Sequence, residues 1–206
     1  MTDYYKLLSF GDVIETNIGV DPHILLDEIK DCEWSQYNPR KQNNRFGLSI
    51  TSSDGSFNGI DLDSLYQYNE ENDTTYKETS FKDKTEVYYK SPQIKKIVDV
   101  FGEHLCRSHL INLMTNGSFP PHRDWRRIDI QETFRIFIPI QRCNPFDMFF
   151  MYEDKPLYFN HGKAYFINTN KVHSLFSFSD YSIFAVMNIE LNSNSLDIIL
   201  DNMSAK

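Results

Sequence analysis

The second half of the sequence is a series of short apolar segments, and this series limits the choice of fold more than any other feature. From residue 104 onward, Asn, Asp, Gly and Pro separate the segments, and no helical period continues through them. The segments read HLINLM, TFRIFIPI, FDMFFMY, PLYFN, KAYFIN, VHSLFSF and YSIFAVMNIEL. The pattern predicts successive strands in a β-sandwich or a jelly roll, a class that includes barrel-like folds with metals at their mouths.

The first half predicts two helices and a polar stretch between them. Residues 21–31 begin with Asp21 as a helix cap and Pro22 at the first helical position, followed by apolar residues at helical spacing. Residues 92–101 carry a second pattern of this kind. The intervening residues 35–90 are rich in Asn, Ser, Asp and Gly, which indicates a few strands joined by long surface loops.

The length of the chain is that of one domain, at 206 residues. We therefore expect a single domain over residues 1–206 that is mainly β with flanking helices. In this domain, residues 1–103 form helices and loops that pack on a β core of residues 104–191.

Composition argues against several classes of protein. A net charge of -8 and a pI near 5.2 would repel a phosphate backbone, so general nucleic-acid binding is not expected. The chain has no membrane-length apolar run and opens without a signal sequence, which predicts a cytoplasmic protein. Cys32, Cys106 and Cys143 are far apart and form no CxxC pair, so we expect reduced thiols.

His122 and Asp124 are the first candidates for chemistry. They are two positions apart in FPPHRD, so on an extended segment both side chains point to one face. His173, in NKVHSLFSF, lies on a later predicted strand that sheet pairing can return to the same place. Two His and one Asp can hold ferrous iron and leave positions open for a chelating co-substrate and dioxygen. The alternative is ordinary core or surface side chains, because a lone H-x-D pair is a weak signal.

Arg135 is the second candidate, because it interrupts an apolar strand. In TFRIFIPI, both faces of the predicted strand are largely apolar, and a buried guanidinium there needs a carboxylate partner. A ligand with a carboxylate end would fit its planar fork. The alternative is an internal pair with Glu132, Asp129 or another acid.

Four stretches together resemble the iron(II)- and 2-oxoglutarate-dependent oxygenases. They are FPPHRDW, FRIFIPI, HGKAYFINTNKVHSLFSFSD and YSIFAVMNIEL, and their order and spacing over residues 104–190 carry the resemblance. The closest pattern is the aspartyl/asparaginyl β-hydroxylase-like branch, which includes free-proline hydroxylases. The resemblance implies a double-stranded β-helix, a jelly roll of cupin type. It also implies that His122, Asp124 and His173 are the metal ligands and that Arg135 contacts 2-oxoglutarate.

The resemblance is incomplete at the co-substrate site. A second basic residue is expected on the final strand, and this chain has Ser182 there. Asn112 falls near a position that carries a polar co-substrate contact in the family. Arg135 would then hold the co-substrate with help from Ser182 and Asn112, or Arg126, Arg127 or Lys171 would supply the second charge.

The implied activity is hydroxylation of an unactivated C–H bond, with an amino acid or an amino-acid side chain as substrate. Iron(II), 2-oxoglutarate and dioxygen would be required, ascorbate would assist, and succinate and carbon dioxide would be released. The carboxylate at Asp124 favours hydroxylation over halogenation, because related halogenases have a small residue there. Two alternatives are a non-redox, cupin-like module that binds metal or a small molecule, and a metal-free interaction protein on a degenerate oxygenase fold.

We expect the substrate to be a small molecule or a peptidyl side chain. Arg40, Lys41 and Arg45 lie in the polar 35–90 stretch and could bind a substrate carboxylate from a lid. The simpler interpretation of the same stretch is a solvated loop.

Overall fold

The computed structural model describes residues 3–41, 43–57, 59–124 and 131–204. Its helices are α1 (Asp3–Leu8), α2 (Pro22–Ile29), α3 (Leu65–Asn72), α4 (Glu86–Lys90), α5 (Pro92–Phe101) and α6 (Ser193–Asp201). Short 3₁₀ turns span Ile60–Leu62, Glu78–Ser80 and Gly102–His104.

The strands of the first half are short, and those of the second half form the body of the fold. The first five are β1 (Val13–Gly19), β2 (Ser35–Gln36), β3 (Arg45–Ser49), β4 (Thr51–Ser52) and β5 (Asp83–Lys84). The remaining eight are β6 (Leu105–Leu113), β7 (Ser118–His122), β8 (Thr133–Gln141), β9 (Met148–Tyr152), β10 (Lys155–Pro156), β11 (Lys163–Ile167), β12 (His173–Ser177) and β13 (Ser182–Glu190).

Strands β6 to β13 form a double-stranded β-helix. One sheet has the order β1-β11-β8-β13-β6-β3-β2, and the other has the order β10-β9-β12-β7. The chain therefore crosses between the two sheets at most of its turns, which is the connectivity of a jelly roll. The predicted fold class, mainly β with flanking helices, is confirmed.

The two predicted helices form where their caps and apolar spacing place them. The side chain of Asp21 accepts hydrogen bonds from the backbone of His23 and Ile24 at the start of α2. Four apolar residues of α5 are buried, namely Ile94, Ile97, Val98 and Phe101. These side chains pack on the outer face of the larger sheet and close one hydrophobic core.

A second core lies between the two sheets, and this explains why β8 is apolar on both faces. Ile136 and Ile138 belong to the core under the helices, while Phe137 points between the sheets. Phe150 of β9 and Phe184 of β13 join Phe137 in the inner core. The site described below occupies one end of this inner space.

The polar 35–90 stretch contains β2 to β5, and β3 extends the larger sheet. Arg45 of β3 lies opposite Leu113 of β6, so both side chains lie on the inner face of the sheet. The cysteines are free. Within the described ranges, each helix is too short or too polar to span a membrane.

Candidate metal centre and cavity

Three side chains with ligand atoms meet at one mouth of the β-helix. His122 is the last residue of β7, His173 is the first of β12, and these strands pair with the two histidines opposite each other. Asp124 follows β7 by two residues, and its amide donates to the carbonyl of Thr169 at 3.0 Å. Strand pairing thus joins positions that are about fifty residues apart in sequence.

The two imidazoles are held in a definite orientation by backbone carbonyls. Nδ1 of His122 lies 2.7 Å from the carbonyl oxygen of Pro120, and Nδ1 of His173 lies 3.0 Å from that of Lys171. A carbonyl only accepts hydrogen bonds, so each Nδ1 carries a proton and each Nε2 is the ring nitrogen that remains for a metal. Carbonyl support of this kind is typical of histidines that bind metals.

The two carboxylate oxygens of Asp124 face different groups, one the histidines and the other an arginine. Oδ1 lies 3.5 Å from Nε2 of His122 and 4.0 Å from Nε2 of His173, while Oδ2 contacts Nη1 of Arg135 at 2.8 Å. Burial alone would raise the pKa of Asp124, but Arg135 and the two imidazoles hold it far below its usual range. The carboxylate is therefore ionised at neutral pH.

The donor set suits a single ion. The three ligand atoms lie within 4.8 Å of one another. Two atoms bonded to one ion at about 2.0–2.2 Å are at most roughly 4.4 Å apart, so both histidine–carboxylate distances already satisfy this limit. Burial also lowers the pKa of His173, with Asp124 opposing it, so that imidazole is neutral at pH 7. Two imidazole nitrogens and one carboxylate fit iron(II) or another divalent first-row ion.

Arg135 has protein partners on two of its nitrogens. Beside the contact with Asp124, its Nε donates to Oδ1 of Asn188 on β13 at 3.1 Å. Glu132 instead forms an ion pair with Lys77, and Asp129 lies outside the described residues. Arg135 therefore does have an internal acidic partner, and that acid is Asp124. Contact of Arg135 with 2-oxoglutarate stays a prediction.

Asn112 and Ser182 do not meet the three candidate ligands. On β6, Ile111 and Leu113 point between the sheets, so Asn112 points to the opposite face. The hydroxyl of Ser182 donates to the carbonyl of Arg142 and shares a hydrogen bond with Ser177.

Of the substitute cations, Lys171 forms ion pairs with Asp12 at 2.7 Å and Glu153 at 3.3 Å. Arg126 and Arg127 lie outside the described residues.

Two cavity residues were not among the sequence candidates. Arg107 and His109 of β6 line the inner cavity together with His122 and His173. Nδ1 of His109 is buried and has no hydrogen-bond partner in the described part of the chain, and burial holds the pKa of this imidazole well below its usual value. The only sequence signal was their alternation with Ile111 on one face of β6.

A second opening reaches the same centre from outside. This groove, of about 460 Å³, is lined by Asp124, Arg135 and Asn188 on its floor. Tyr66 of α3 and Tyr76 form part of its walls. The candidate metal centre therefore lies between an inner cavity and an outer groove.

Comparison with known proteins gives matches of structure and none of sequence. No protein family matches the chain, and neither does any curated protein. An oxidoreductase of the 2OG-Fe(II) oxygenase family from Burkholderia pseudomallei is similar in structure, with 11% identity, a TM-score of 0.49, and coverage of 92% of this chain and 89% of that chain.

Two prolyl hydroxylases are similar to a comparable degree. A prolyl-4-hydroxylase from Pseudomonas putida has 10% identity and a TM-score of 0.49 and covers 91% of this chain and 97% of its own. A prolyl hydroxylase from Trichoplax adhaerens, in complex with a peptide fragment of hypoxia inducible factor, has 10% identity, a TM-score of 0.44, and coverage of 94% and 89%. The strand order of this chain by itself defines the jelly roll.

Proposed function

We propose that this chain is an iron(II)- and 2-oxoglutarate-dependent dioxygenase that hydroxylates an unactivated C–H bond of an amino acid or an amino-acid side chain. The observation that carries the proposal is the arrangement of His122, Asp124 and His173, whose ligand atoms lie within 4.8 Å of one another. The finer assignment to the aspartyl/asparaginyl β-hydroxylase-like branch rests on the sequence resemblance.

His122, Asp124 and His173 would hold the metal on one side and leave its other side facing the two openings. Bound iron(II), with 2-oxoglutarate and dioxygen, supplies the oxidising power for hydroxylation, and 2-oxoglutarate leaves as succinate and carbon dioxide. The protein itself must orient the ligands, hold the two organic molecules and exclude bulk water.

The surrounding side chains fit these tasks. Arg135 fixes Oδ2 of Asp124, so Oδ1 faces the two imidazoles. Phe150 stacks on the ring of His173, with centroids 5.9 Å apart. Phe137 contacts Phe150 behind that pair, so the cavity beyond the histidines has an apolar wall. A wall of this kind limits the access of water.

The two openings suggest a division of binding. The inner cavity, lined by Arg107 and His109, is the proposed place of the co-substrate. The outer groove, with Tyr66 and Tyr76 in its walls, is the proposed place of the substrate. A groove open to the surface accommodates either a free amino acid or a segment of a peptide.

One observation favours a second candidate, a non-redox module that binds a metal or a small molecule. A clamp for a ligand carboxylate would have no purpose in such a module, so an Arg135 without protein partners would argue against it. In the structure, Asp124 and Asn188 occupy two nitrogens of this clamp, so the internal pair accounts for its presence.

Succinate formation separates the two candidates. Protein loaded with iron(II) is incubated with 2-oxoglutarate, ascorbate and air, and succinate is measured with free amino acids and then with peptides. We expect succinate in amounts that match a hydroxylated product when the substrate is present. Protein that binds iron but forms no succinate with any of these would support the non-redox module.

Asp124→Ala is the matching variant, because it removes the charged ligand. Its succinate formation should be lost, whereas Asp147→Ala, which removes an exposed carboxylate, should leave succinate formation unchanged. Full coupled turnover by Asp124→Ala would show that Asp124 is not a ligand.

A further inference from the structure

Arg45 is a buried cation that has no acidic partner among the described residues. The residue is 6% exposed, its Nε has no hydrogen bond, and no carboxylate of the described residues lies within ion-pair distance of it. Burial lowers the pKa of its guanidinium, and the nearby Tyr37 opposes this only in part. Burying an unpaired charge is costly, so such a group is retained where it has a use that the isolated chain does not show.

Two aromatic rings hold the guanidinium beside the inner cavity. Cζ of Arg45 lies 4.2 Å from the ring centre of Phe119 and 5.5 Å from that of Tyr37. Both rings line the cavity that also contains His122 and His173. The rings stabilise the charge through cation–π contacts and keep water away, but they accept no hydrogen bond from the guanidinium edge. Its donors therefore remain for another acceptor.

The other arginines of the cavity already have acids or carbonyls. Arg107 contacts Glu78 at 3.2 Å and donates to the backbone carbonyls of Asp61 and Asp63. Arg135 contacts Asp124 at 2.8 Å. Among the described arginines on or behind this cavity wall, Arg45 is thus the one whose charge is not neutralised.

Strand register places Arg45 at the level where a second cation was expected. Leu113 of β6 lies opposite Ser182 on one side and opposite Arg45 on the other. Arg45 is therefore two strands away from Ser182 in the same layer of the larger sheet. Because the hydroxyl of Ser182 is already bonded to Arg142 and Ser177, the free cation of this layer comes from β3.

We propose that Arg45 binds the carboxylate of the co-substrate that is farther from the metal, in a site beside the rings of Phe119 and Tyr37. The ligand class is a 2-oxo acid with a second carboxylate at the other end of a short chain. The guanidinium fork would bind that carboxylate through two parallel hydrogen bonds. This proposal rests on the proposed function and names the residue that selects a dicarboxylate.

The test is to titrate two oxo acids into protein loaded with manganese(II) in place of iron, so that no turnover occurs. One is 2-oxoglutarate, and the other is 2-oxopentanoate, in which a methyl group replaces the far carboxylate. Calorimetry on Arg45→Met should show about thirty-fold or greater loss of affinity for 2-oxoglutarate, because one partner of a buried charge pair is removed. Affinity for 2-oxopentanoate should stay within about two-fold, since that ligand never reaches Arg45.

Two further variants separate binding from a structural role. Arg45→Lys should recover part of the lost affinity, because it keeps the charge without the fork. Arg142→Met, which removes a half-exposed arginine, should bind both acids as the parent does. Without ligand, the melting temperature of Arg45→Met should equal or exceed that of the parent, because an unpaired buried charge has been removed.

Several results would overturn the proposal. Unchanged 2-oxoglutarate affinity in Arg45→Met would do so, as would equal losses for both oxo acids, which would indicate a structural role. A parent protein that holds manganese and binds neither acid would instead overturn the proposed function. A parent that binds 2-oxopentanoate as tightly as 2-oxoglutarate would leave that function standing and remove the role of Arg45.

Discussion

Two regions of this molecule treat buried charge in opposite ways. At the candidate metal centre, Asp124 and Arg135 contact each other, and the pKa of the acid is lowered while that of the base is raised. The second region is the β3 side, made of β3 and the 3₁₀ turn Ile60–Leu62. There, Asp61 and Arg45 are buried and form no ion pair with any described residue. There, burial raises the pKa of Asp61 to about 6 and lowers that of Arg45.

The difference shows which buried charged groups the folded chain itself supplies with a partner of opposite charge. Burial disfavours the charged form of all four side chains, but only at the metal centre does a partner outweigh it. That centre is therefore held in place by the protein before any ligand arrives. On the β3 side the folded chain carries a free-energy cost, which a proton on Asp61 or a carboxylate beside Arg45 would remove.

Asp61→Asn should give the largest change in stability, raising the free energy of unfolding at pH 7.5 by about 3 kcal/mol. Burial raises the pKa of Asp61 from 3.8 to about 6, and each pKa unit corresponds to about 1.4 kcal/mol. In the parent, the folded state holds the proton on Asp61 more tightly than the unfolded chain does. Proton binding therefore stabilises the parent fully below pH 3.8, and this contribution is lost as pH rises through about 6. Urea denaturation at several pH values measures the difference.

The pH dependence makes this prediction specific. At pH 4.5 the gap between variant and parent should shrink to about 1 kcal/mol, because the parent is then largely protonated at Asp61. Asp147→Asn, at an exposed carboxylate, should change stability by less than about 0.5 kcal/mol at either pH. A gap for Asp61→Asn that does not vary with pH would contradict the assignment of a buried, unpaired carboxyl.

Arg135→Ala should have a smaller effect, at the other region. Loss of the contact with Oδ2 leaves Asp124 free to rotate, so we expect manganese(II) affinity to fall about ten-fold, as for other groups that orient metal ligands. Calorimetric titration measures this, with Arg142→Ala as the control. A rise in affinity would mean that repulsion between Arg135 and the ion dominates, and the positioning role would be wrong.

Local signals in the sequence were sufficient for part of this account. The caps at Asp21 and Pro22 and the apolar spacing of α5 predicted both helices, because these features act within one or two turns of chain. The Asn, Asp, Gly and Pro residues between short apolar segments predicted the strands of the β-helix. The H-x-D pair and the resemblance predicted that His122, Asp124 and His173 would come together.

The rest depended on contacts that no local pattern encodes. Arg45 was identified only as one of several cations in a polar stretch, and its burial follows from the pairing of β3 with β6. The contact between Arg135 and Asp124 likewise depends on where the segment after β7 lies, which no local pattern encodes. The role of His109 as a cavity residue could not be predicted either, because a histidine on a strand gives no sign of the cavity that it faces.

The most direct test of the account is the number of metal ions that the chain binds. Manganese(II) is titrated into the parent, His173→Ala and His23→Ala, the last of which removes an exposed histidine far from β12 in sequence. We predict one ion per chain for the parent and for His23→Ala, and no measurable binding for His173→Ala, because one of three ligands is gone. Equal stoichiometry and affinity in all three proteins would contradict a metal centre at His122, Asp124 and His173.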